Sequence, residues 1–143
     1  MTDELENLEK SFILDEDMEH ENIKELIERT LRFCKIDKNG FVIIDQKTLS
    51  KLRIQDKVIL VLVARHLAGK LQQKLGRETT IKEEVSSQEL ADILREKQLV
   101  INARMKELKD KKQVLPVARG TYKIAPYGIS PFLKKLESGE KNE

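Results

Sequence analysis

Apolar positions along the chain switch between a helical period and a strand period, and the switches mark its elements. From Glu19 to Phe33, Ile23, Leu26, Ile27, Thr30 and Leu31 recur at helical spacing and predict a helix with one packing face. The stretch Ile36–Ile44 reads as a short β-hairpin, with Asn39-Gly40 supplying the positive φ angles of its turn. Residues 45–55 read as a polar connector pinned by Leu49 and Leu52. The most apolar helix then runs from Asp56 to about Leu75, and Val58, Ile59, Leu62, Val63, Leu67 and Leu71 are expected to centre the core. Val61 and Ala64 widen its apolar surface, so this helix should be covered on more than one side. Gly76 stands where a helix stop is expected. Residues 77–85 read as a polar link with a short strand at Thr79–Ile81.

Segment 82–136 carries the most information. Ser86-Ser87-Gln88-Glu89 matches a capping box, in which the Ser hydroxyl and the Glu side chain satisfy each other's backbone amides. The short helix it opens holds Leu90, Ala91, Ile93 and Leu94, and Arg95-Glu96-Lys97 breaks it. A second helix, 97–112, places Ile101, Met105 and Leu108 on one face. Val114, Leu115 and Val117, then Arg119-Gly120, then Thr121-Tyr122-Lys123-Ile124, read as a hairpin with a basic tip. Ser130-Pro131 opens a last helix whose packing face is Phe132, Leu133 and Leu136, because Pro suits a first helical position.

Charge changes the picture more than composition does. The chain has 143 residues and a formal net charge of only +2, yet residues 1–22 hold nine acids and one base, leaving a net +10 on the remainder. An acidic arm on a basic body fits a polyanionic partner, with the arm either a solubilising tail or a shield over a phosphate-binding face. Within the arm, Leu5, Leu8, Phe12 and Ile13 offer local docking points. Val58–Ala64, the longest apolar run, is far below the ~20 residues a membrane span needs, so no membrane association is expected. Residues 1–10 carry four acids, unlike a targeting peptide, and the lone Cys34 forms no disulfide framework; a reducing, cytoplasmic setting is expected.

Helix, short helix, break, second helix and hairpin, in that order, resemble a winged helix-turn-helix domain. The match lies in Ser87–Leu94, then Ile101–Leu108, then Arg119–Ile124, and covers about residues 56–125. It looks like the pattern of small prokaryotic, bacterial or archaeal, transcription regulators. The fold class expected is therefore mainly α with a small β component (α+β): a winged helix with an N-terminal helix-hairpin extension and a C-terminal helix. The division is an acidic arm at 1–18, the extension at 19–55, the winged helix at 56–125, and a helix and tail at 126–143.

The resemblance implies that helix 97–112 enters the DNA major groove as a recognition helix. Gln98 and Asn102 would then face adenine, and Lys97, Lys106 and Lys109 guanine or phosphate. Arg119 and Lys123 of the wing would hold backbone phosphates, and Ser86 and Ser87 would offer hydroxyls and amides to another phosphate. Double-stranded DNA is the implied partner. A homodimer is a further expectation, through the helix at 19–33 or the one at 131–137.

Two alternatives come from the same residues. The face opposite Ile101 and Leu108 carries Leu99, Ala103 and Asp110, with Val100 on its flank, an apolar strip that suits a protein partner and hence an adaptor. RNA binding is the third reading, disfavoured because Tyr122 and Tyr127 are the only tyrosines and lack an aromatic cluster. No enzyme, cofactor or metal is expected: His20 and His66 are isolated, Cys34 has no partner spacing, and no phosphate loop or nucleophile motif occurs. Lys35–Gln46 imitates a calcium loop only faintly, since Lys35 and Gln46 occupy positions that need acids. His66 reads as a core-edge histidine, and Cys34 as buried.

Overall fold

A computed structural model describes residues 4–8, 20–78 and 80–141. It is mostly helical with a small sheet component, an α+β chain. From residue 20 onward the described α-helices are α1 (His20–Thr30), α2 (Gln46–Leu49), α3 (Ile54–Lys74), α4 (Ser87–Leu94), α5 (Gln98–Asp110) and α6 (Ile129–Lys141), accompanied by two small sheets. The first sheet pairs β1 (Cys34–Ile36) with β2 (Val42–Ile44), Cys34 opposite Ile44. The second has the order β3-β5-β4, from β3 (Val85–Ser86), β4 (Val114–Ala118) and β5 (Thr121–Ile124), all antiparallel. Residues 4–8 are also helical, with Leu5 and Leu8 exposed rather than docked. Phe12 and Ile13 lie outside the described residues.

The centre of the molecule is α3. Val58, Leu60, Val61, Leu62 and Val63 are all fully buried, which is possible only for a helix covered on every side. Helix α1, the β1–β2 hairpin, α4, α5 and β5 supply that cover. Leu71 departs from the expected core: it is 39% exposed, on the rim of an open groove between α3, α1 and β1 that Ile27, Leu31 and Ile36 also line. The helix ends in a Schellman motif, Gly76 N–H to Gln73 O and Arg77 N–H to Gln72 O, with Gly76 at φ +69°.

The expected strand at Thr79–Ile81 does not form at the described residues Thr80 and Ile81; the strand lies at Val85–Ser86 instead. Gln72 explains the difference, since its side-chain oxygen accepts from the amides of Thr80 and Ile81 and its amide donates to Thr80 Oγ1. Those backbone groups are tied to α3 and cannot enter a ladder. In the first hairpin only Gly40 has a positive φ (+88°), and Asn39 does not. Asp37 organises the turn: its Oδ1 accepts from the amides of Asn39 and Phe41, and its carbonyl from Gly40 N–H.

The core joins the N-terminal hairpin region to the C-terminal helix. Phe33, Cys34, Val42 and Ile44 of the N-terminal hairpin region share one buried cluster with Ile129, Phe132, Leu133 and Leu136 of α6. Helices α1 and α6 meet through Arg29, whose Nε and Nη2 donate to Glu137 Oε1 at 2.9 and 2.6 Å. The two helices expected to offer a dimer contact thus engage each other within one chain. Among the described residues no helix is long and apolar enough to cross a membrane.

Candidate nucleic-acid interface

The site is built from α4, the turn after it, α5 and the β4–β5 hairpin. Ser86 caps α4, its hydroxyl accepting from Glu89 N–H at 3.1 Å. The expected reciprocal half of the capping box is diverted, because the Glu89 carboxylate takes a bond from Arg65 Nη1 at 3.0 Å. Helix α4 stops at Arg95, which adopts the left-handed conformation (φ 56°), while Glu96 N–H closes back on Ala91 O. Helix α5 starts directly after, with the Lys97 carbonyl accepting from Val100 and Ile101 N–H.

Three buried side chains fix the roll of α5: Ile101 and Met105 are fully buried and Leu108 nearly so. At 100° per residue, Leu99, Ala103 and Asp110 then lie at the centre of the outward face, with Lys106 just beside them. Gln98, Asn102 and Lys109 line one flank, and Glu107 and the partly buried Val100 the other. Leu99, Asn102, Ala103, Lys106 and Lys109 are all exposed, as is Lys97 at the N-cap. Arg104 pairs with Glu107 at 3.4 Å along the second flank.

The hairpin turns through the exposed pair Arg119-Gly120. Its tip is held against the start of α4: the Gly120 carbonyl accepts from Ser87 N–H at 2.9 Å and from Ser87 Oγ at 3.4 Å. One expected phosphate contact is thereby removed. Ser87 is buried, with both donors spent on Gly120, whereas the Ser86 hydroxyl accepts from Glu89 N–H and keeps its own O–H to donate. Lys123, opposite Leu115 in the ladder, is half-buried, whereas Arg119 stands clear at the tip. Residues 95–123 carry nine bases and three acids, so this region holds most of the positive excess of the body.

One residue essential to this arrangement escaped the sequence pattern. Arg65, on α3, is 5% exposed and its guanidinium makes four hydrogen bonds. Nε donates to Lys82 O, Nη1 to Gly40 O and Glu89 Oε2, and Nη2 to Glu84 O. It binds the first hairpin, the 77–85 link and α4 to the central helix. An arginine one residue beyond a seven-residue apolar run was the only signal in the sequence. The left-handed Arg95 and Lys112 (φ 60°) were equally invisible, since such positions are read from glycine.

Cys34 and His66 both lie in the interior. Cys34 is buried, and burial pushes its thiol up to about 12. His66 is buried with Nδ1 3.5 Å from Glu83 Oε1, and Lys70 Nζ lies 3.6 Å from the same oxygen. Among the described residues no three His, Cys, Asp or Glu side chains converge to hold a metal. The chain matches no protein-family model, no curated protein and no solved structure.

Proposed function

We propose that this chain is a DNA-binding protein of the winged helix-turn-helix type, acting as a transcription regulator. Helix α5 enters the major groove and the β4–β5 hairpin, the wing, lies on the phosphate backbone. The observation that carries the reading is the α3-β3-α4-α5-β4-β5 succession with sheet order β3-β5-β4, which leaves one face of α5 outward beside a basic wing tip. Asn102 and Gln98 carry paired donor and acceptor groups that match adenine, and Lys106 and Lys109 are placed for guanine or phosphate. Arg119 serves as a phosphate anchor that fixes register rather than sequence. Lys97 and Lys123 supplement the backbone contacts. Ser87 acts indirectly, holding the wing tip against α4, and the Ser86 hydroxyl, whose O–H remains a donor, meets a phosphate at the start of that helix.

Fluorescence anisotropy of a labelled random-sequence duplex tests this reading. Full-length protein should bind with an affinity that falls steeply with salt. Combining Lys106→Ala with Arg119→Ala should lower the salt slope by about 2, since each phosphate left without its cation removes close to 0.9. The thermal midpoint should stay within a few degrees, because both residues are exposed. Unchanged binding by the double variant would exclude this placement of the interface.

A further inference from the structure

Leu99 has the highest exposure of any large apolar side chain among the described residues, at 82%. Nothing in the fold requires it, since Ile101, Met105 and Leu108 already bury the inner face of α5. Its position is specific: it lies in the first turn of α5, at the centre of the outward face, with Ala103 one turn further along and Asn102 beside it. A strip of one Leu and one Ala, bordered by Gln98, Asn102, Lys106 and Asp110, is small for a protein docking surface, which takes a contiguous apolar patch of several hundred Å².

The size and setting suit a single apolar feature inside a polar groove. The 5-methyl group of thymine is the one such feature that base pairs present in the major groove. We infer that Leu99 is a specificity-determining residue that packs on thymine methyl groups, so that the protein prefers A·T-rich duplex DNA; this rests on the groove-binding reading of α5. Asn102, one helical turn from Leu99, is placed to accept from adenine N6 and donate to N7, so the two side chains read adjacent features of the same kind of pair. Ala103 supplies no bulk, which lets the helix approach the base edges closely. Against G·C pairs Leu99 covers polar groups on guanine and cytosine and gives them no partner, which penalises that sequence. Lys106 and Lys109 remain for the phosphates, so affinity and preference come from different residues.

The probes are three labelled 24-bp duplexes at one salt concentration: a mixed-order A·T duplex, the same duplex with every thymine replaced by uracil, and a G·C duplex. Uracil keeps the base pairing and removes only the methyl. Full-length wild-type protein should bind the thymine duplex tightest and weaken about fourfold on the uracil duplex for each methyl covered, the equivalent of ~0.8 kcal/mol. Leu99→Ala, at a solvent-exposed helical position, should keep its fold and its salt slope yet bind thymine and uracil duplexes equally. Equal binding of the two duplexes by wild type, or a thymine preference that survives in Leu99→Ala, overturns the inference while leaving salt-dependent DNA binding intact. Absence of salt-dependent binding to all three duplexes overturns the groove-binding reading with it.

Discussion

Arg65 shows how much one buried polar side chain controls. Its donors satisfy the carbonyls of Gly40, Lys82 and Glu84, groups on loops well separated from α3 in sequence. Removing it leaves those carbonyls without their charged donor, and an unsatisfied buried acceptor costs roughly 1–3 kcal/mol. Arg65→Met should therefore destabilise the protein by about 3 kcal/mol, read as a shift of the urea midpoint at constant slope. Gly40 matches it from the other side, since a Cβ there would sit 3.3 Å from Arg65 Cζ in addition to the strain of its positive φ. Cys34 gives a pH signature. Its thiol ordinarily titrates near 9.0 and burial raises this to about 12, so between those values the unfolded state releases a proton the native state keeps. Stability from this group is complete below pH 9 and is lost as pH rises toward 12. Cys34→Ala should show a shallower alkaline decline than wild type in parallel unfolding titrations.

At the scale of elements, three helices end on the same hydrogen-bond pattern with different residues at the left-handed position. Helix α3 uses Gly76, α4 uses Arg95 and α5 uses Lys112, where Gln113 N–H closes on Leu108 O. A side chain in that conformation costs about 1–2 kcal/mol, part of which glycine gives back through its greater unfolded entropy. Arg95→Gly and Lys112→Gly should each raise stability by ~0.5–1 kcal/mol. Both residues flank the proposed DNA-facing helix, so the same changes should weaken duplex binding; a rise in thermal midpoint with unchanged affinity would show the cations are not used there. The contrast also explains what the sequence made visible. The stop after α3 was legible because Gly76 announces it, and the break at 95–97 was legible from polarity, but the geometry at Arg95 and Lys112 was not. Residue preference is only a local bias, and here the hydrogen-bond closure of the helix end overrides it.

At the scale of the whole molecule, the segments read as extension, winged domain and C-terminal helix share one hydrophobic cluster. Ile129 and Leu133 are almost fully buried and Phe132 and Leu136 nearly so. Each such side chain stabilises by roughly 1.5–3 kcal/mol, so α6 as a unit contributes an amount comparable with the roughly 5–15 kcal/mol net stability of an ordinary domain. A chain ending at Gly128 should lose its cooperative thermal transition by circular dichroism; a sharp transition in that variant would show that the rest of the fold is self-sufficient without α6. Arg29 and Glu137 close the N-terminal helix on the C-terminal one at 2.6 Å, half-buried, which fixes α1 and α6 to each other.

Apart from α2, which forms inside the stretch read as a polar connector, order and periodicity alone determined the succession of α1, α3, α4, α5, α6 and the two hairpins, the central role of the apolar helix, and the inward face of α5. These depend on spacings of two to four residues, which the local backbone period imposes on any packed chain. The tertiary structure decided what distant residues do to one another. Glu89 leaves its own capping box for Arg65, 24 positions away. Ser87 turns from a phosphate donor into a support for Gly120, 33 positions away. Gln72 holds back a strand that the residue types favour, and Val85–Ser86 takes its place beside β5. For Arg65 and Ser87, both buried, a long-range hydrogen bond outweighs a local preference worth less than about 1 kcal/mol, because a buried polar group left without a partner costs more than that; Gln72 acts by occupying the amides a strand would use.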